Sequence, residues 1–104
     1  MFAAEINSLN VQIDNCQERV HKLLETIKKA KEESWFMIEE YNNGLLTSHE
    51  LCGLLLSTCK TVEDFATVAQ LSVALLEETS AVSAIAAYEK IEHKRALKQL
   101  VKGF

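Results

Sequence analysis

Proline is absent from this 104-residue sequence, and glycine occurs only three times, as Gly44, Gly53 and Gly103. Sandwiches and barrels spend both residues freely on turns, so their scarcity excludes most all-β architectures and favours a few long helices. Aromatic residues supply only 7% of a chain that is 48% hydrophobic, which leaves leucine, isoleucine, valine and alanine to build helix–helix contacts. A basic excess is missing too. Eleven Lys and Arg face fifteen Asp and Glu, for a formal net charge of −4. Phosphate contacts demand clustered cations, so nucleic acid is not the expected partner.

Cysteine is sparse and unpaired in pattern. Cys16, Cys52 and Cys59 form no CxxC, and no histidine lies at zinc-ligand spacing from them. Cys52 and Cys59 fall on one expected helix, about 10 Å apart along its axis, too far to bridge. All three read as reduced thiols of a cytoplasmic protein. The first residues, MFAAEINSLN, lack the basic and apolar regions of a signal peptide. The most apolar stretch, residues 68–76, contains Gln70 and Ser72 and stops at Glu77 and Glu78, so the expectation is a soluble chain.

Catalytic patterns are missing as well. The sequence has no glycine-rich phosphate loop and no nucleophile elbow. His21, His49 and His93 lie far apart, among polar neighbours. Adjacent carboxylates such as Glu32-Glu33 and Glu77-Glu78 point about 100° apart on a helix, so they make no acid/base dyad. Glu18 and His21 have the Glu-x-x-His spacing of a di-iron ligand pair, but it is not repeated. The chain is therefore read as a non-enzyme without cofactor or metal.

What is present is periodicity. Ile6, Leu9, Ile13, Cys16, Val20, Leu23, Ile27, Ala30, Ser34 and Met37 alternate at spacings of three and four. That is a heptad seam, and it predicts one helix over about residues 3–41 with coiled-coil-like packing. Asn42-Asn43-Gly44 ends it, because these residues tolerate the left-handed conformation. Thr47 and Glu50 form a capping box that opens a short helix over about 48–59. Thr61 with Glu63 and Asp64 marks the next start, and nothing interrupts a helix from about 62 to 101. The predicted fold is a single all-α domain, residues 1–104, built as an elongated hairpin of two long helices and one short connector.

Two surfaces carry the functional reading. The first seam can pack against the chain's own 62–101 helix, laid antiparallel, and also pair with a second chain. Ile13, Val20 and Ile27 on it, the larger Trp35 and Tyr41, and Ala84 and Tyr88 on the alanine-rich helix are the candidate partner contacts. They imply an adaptor or assembly subunit, a small chaperone or an inhibitor, acting as a homodimer or in a hetero-complex. Lys94, Arg95, Lys98 and Lys102 form a basic side near the C-terminus. That side fits a solvated helix end, an acidic protein partner or, as the alternative function, an anionic membrane surface.

Overall fold

The computed structural model describes residues 1–103; it is 88% helical, with no strand among those residues. Helix α1 spans Ala3–Ala30, a single 3-10 turn follows at Glu32–Ser34, and α2 spans Trp35–Asn42. Helices α3 and α4 span Ser48–Thr58 and Val62–Lys102. Phe104, which the sequence puts on the apolar side of the last turn, lies outside the described residues.

The punctuation works as the residue types dictate. Gly44 takes φ 78° after α2. There the Leu45 N–H reaches the Glu40 carbonyl at 2.8 Å and the Gly44 N–H reaches Tyr41 at 3.1 Å, a Schellman closure. Thr47 and Glu50 exchange hydrogen bonds of 3.1 Å at the start of α3. The Thr61 hydroxyl accepts from the Asp64 N–H at the start of α4.

The first helix differs from its predicted extent. It does not continue to residue 41 but breaks at Lys31, which adopts φ −140°, ψ 102°. The cause lies across the hairpin. Helix α4 begins opposite Lys31, so a straight continuation would carry its apolar residues past the end of their partner. The break folds α2 back over the hairpin end and buries Ile38. The α1 carbonyls freed by the break find new donors. The Trp35 indole N–H donates to Lys28 O at 2.7 Å, and the buried Ser34 hydroxyl, beyond the break, donates to the Lys31 carbonyl at 2.6 Å.

Helices α1 and α4 run side by side in opposite directions. Phe2 N–H meets Glu92 at 2.8 Å, Arg19 meets Glu77 at 2.8 Å, and Lys31 meets Asp64 at 2.9 Å. Numbers rise along α1 as they fall along α4, as an antiparallel pair requires. Three layers of helix enclose a core only at the α2–α3 end, where Val20, Leu24, Ile27, Ile38, Leu51, Leu55, Val68, Leu71, Ala74 and Leu75 form one cluster. Leu24 replaces the exposed Ala30 among the inward positions of α1. Farther along, the hairpin is two helices thick.

The result is a rod of 65 × 24 × 18 Å with a radius of gyration of 18.5 Å. A compact chain of this length would have about 13 Å. With 41 residues against 28, α4 outruns α1. Because residue 2 already faces residue 92, residues 93–102 project as about 15 Å of helix without a partner in the hairpin.

Candidate association surface on α4

Helix α4 carries two heptad-spaced lines on opposite sides, the first mostly apolar and the second without charge. On the first, Leu71, Ala74, Glu78, Ala81, Ile85, Tyr88 and Glu92 alternate at spacings of three and four and are all buried or half-buried. This line faces α1. Glu78 accepts from Gln17 at 3.2 Å, and the Tyr88 ring lies 4.7 Å from that of Phe2. The second line is Val62, Ala66, Ala69, Val73, Leu76, Ser80, Ser83 and Ala87, again alternating at spacings of four and three. Every residue on it is exposed, Leu76 by 67% and Val73 by 50%. Phe65 borders it at 48% exposure. No charge interrupts it, because the acids of α4 up to residue 78 fall on the flanks or on the inward side. A helix apolar on two sides is one built to be covered on two sides.

Charge is sorted along the same helix. Residues 61–89 hold five acids and no Lys or Arg; residues 90–104 hold Lys90, Lys94, Arg95, Lys98 and Lys102 against Glu92 alone. The four residues of the predicted basic side do not all point the same way. Arg95 turns inward, its guanidinium 5.4 Å from the centre of the Phe2 ring and against the Met1 sulfur. Lys94, Lys98 and Lys102 stay exposed on the projecting turns. Glu92 receives the Phe2 N–H, which together with the N-terminal ammonium 3.4 Å away holds its carboxyl below the usual range against the opposing effect of burial.

Most of the predicted partner contacts are occupied within the chain. Val20 and Ile27 belong to the core, at 7% and 5% exposure, because α4 covers the seam they lie on. Ile13 is half-buried on the same face, and Tyr41 packs against the core cluster. Ala84 and Tyr88 lie on the inward side of α4 and meet the start of α1. Only Trp35 is exposed, and its indole already caps α1 beneath the Lys28 ammonium, 5.3 Å from the ring centre. Sequence reasoning missed Val73 and Leu76. The second alternation on α4 was the available signal, hidden because the alanines make both sides of the helix look alike.

Lys31 joins three elements at the hairpin end. Its ammonium donates to Thr58 O, at the last residue of α3, at 2.6 Å and pairs with Asp64 in the first turn of α4. That hydrogen bond holds the Asp64 carboxyl below its ordinary range, with a smaller contribution from the Lys60 N–H. Beside it lies a cleft of about 40 Å³ lined by Ile27, Leu55, Cys59 and Val68. Among the described residues no three of His, Cys, Asp and Glu converge in a metal-binding group.

The expectation that no apolar segment reaches membrane-spanning length needs correction. Helix α4 is continuous, and one 18-residue window of it has mean hydropathy 1.2, long and apolar enough to cross a bilayer by length and composition. Only 28% of that window is buried. No protein-family model, curated protein or solved structure matches the chain.

Proposed function

We propose that this chain is a non-enzymatic protein–protein interaction module that works through the outward line of α4. One observation carries the reading: an uncharged, exposed apolar line from Val62 to Ala87 on a helix whose other side is already packed. Contiguous apolar patches beyond a few hundred Å² are rare on monomers and mark contact sites. The area supports it. The chain exposes 7378 Å², against about 5,900 Å² for a compact monomer of its mass. The excess of about 1,500 Å² is larger than the ~800 Å² each partner contributes to a standard interface. Adaptor, assembly-subunit, chaperone and inhibitor roles all use such a surface.

A photoreactive residue at Val73, in the cells that make the protein, tests this. The expected result is a discrete protein adduct that Leu76→Glu abolishes and that a probe at Glu18, on the far side of α1, does not give. Equal smears from both positions would contradict it.

A membrane-surface role is the second reading, favoured by the hydropathy of α4 together with exposed Lys94, Lys98 and Lys102. It predicts co-sedimentation with anionic vesicles that disappears in Lys94→Glu/Lys98→Glu. The acidic two-thirds of α4 speaks against it, since an anionic surface repels Glu63, Glu77 and Glu78.

A further inference from the structure

We infer that the partner on the outward line of α4 is a second copy of this chain, laid antiparallel so that the two α4 helices overlap along their full length. The inference rests on the interaction-module reading and names its occupant. Three independent features lead to the same arrangement.

The first is charge. Apart from Glu92, which Phe2 and the N-terminus hold, the acids of α4 lie in its first two-thirds and its free lysines at its end. Parallel copies would place lysines on lysines. Antiparallel copies place Glu63 of each chain between Lys98 and Lys102 of the other, and set each helix N-terminus beside a C-terminus. Glu63 is exposed and in none of the chain's own ion pairs among the described residues, so it is available, whereas Asp64 is held by Lys31.

The second is register. Overlap of Val62–Val101 with its copy puts the two-fold axis midway between Ser80 and Ser83. About that axis the spacing of the outward line maps onto itself: Ser80 faces Ser83, Leu76 faces Ala87, Ala66 faces Leu97 and Val62 faces Val101. Small residues therefore meet at the axis, where the backbones come closest, and each large residue away from it faces a smaller or equal one. Lys90 and Lys94, which continue the line, lay their aliphatic stems over Val73 and Ala69 with the ammonium groups outside.

The third is the projecting end. The last ten residues of α4 extend past the start of α1, and apart from Arg95, which reaches back to Phe2 and Met1, they pack on nothing among the described residues of their own chain. Leu97, Leu100 and Val101 are 48%, 62% and 73% exposed there. In the antiparallel pair this end lies on residues 61–71 of the partner, where Val62 and Phe65 are 85% and 48% exposed. Each copy covers what the other leaves bare.

Sedimentation equilibrium of the purified full chain at micromolar concentration tests the inference, with far-UV circular dichroism on every variant. Wild type sediments as a dimer. Leu76→Glu and Ser83→Arg, both at exposed positions, sediment as folded monomers. Glu63→Lys and Lys98→Glu each weaken the dimer on the order of tenfold, because each reverses two symmetry-related pairs. The double variant Glu63→Lys/Lys98→Glu regains wild-type affinity, since the reversed charges again meet their opposites across the axis. A monomeric wild type, a dimer indifferent to both Leu76→Glu and Ser83→Arg, or charge reversals that add instead of cancelling would each overturn it. A monomeric wild type combined with a discrete Val73 adduct in cells would overturn self-pairing while leaving the interaction-module reading in place.

Discussion

Lys31 shows how much one side chain can settle. Its backbone leaves the helical region, while its side chain is 14% exposed and its ammonium bonds a terminal carbonyl of α3 and the Asp64 carboxylate. Lys22, paired with Glu18 on the open surface of α1, spans no such junction. Lys31→Ala should therefore lower the thermal midpoint clearly, and Lys22→Ala hardly at all; equal midpoints would deny the junction its role. Acid provides a second check. Asp64, Glu92 and Glu50 all have carboxyls held below their ordinary range, by the Lys31 ammonium, the Phe2 N–H and the Thr47 N–H respectively. A depressed folded value means the stabilisation is complete above the unfolded carboxylate range and is lost as pH falls through the folded values. Midpoints should hold steady from neutral to about pH 5 and decline below about pH 4. The decline should be shallower in Lys31→Ala; an identical slope would show that Asp64 contributes nothing to it.

At the scale of elements, the caps and the core separate what periodicity can and cannot reveal. Removing the Ile27 side chain, 5% exposed, should cost roughly 2–5 kcal/mol, and Leu23→Ala less, because Leu23 only borders the core. Urea unfolding of both variants measures this, and equal losses would misplace the inward face of α1. The starts of α3 and α4 and the stop after α2 were legible because Thr47, Glu50, Thr61, Asp64 and Gly44 act locally, through side chains on their own backbone. The break at Lys31 was not legible. The sequence there is Ala-Lys-Glu-Glu-Ser, with neither proline nor glycine, and the cause is the position of α4 more than thirty residues away. For the same reason the seam of Val20 and Ile27 reads equally as packing against the chain's own last helix or as a contact with a second chain. A seam records that it is to be covered, and only the tertiary arrangement shows that the chain's own α4 covers it.

At the scale of the whole molecule, a 65 Å rod with one compact end has more apolar helix than it can enclose. Two antiparallel copies joined through α4 resolve that excess. Each projecting end gains a neighbour, and each basic end gains an acidic one. Distances between nitroxide labels on Thr79, exposed beside the outward line, and on Gln99, exposed on the opposite side of α4, test this most directly in a variant with Cys16→Ala, Cys52→Ser and Cys59→Ser. Antiparallel overlap centred between Ser80 and Ser83 predicts a short distance between the two Thr79 labels. It predicts about 50 Å along the axis between the two Gln99 labels, from 1.5 Å of rise per residue. Short distances at both positions would make the pair parallel, and no dipolar coupling at Thr79 would mean that the outward line of α4 does not meet its copy.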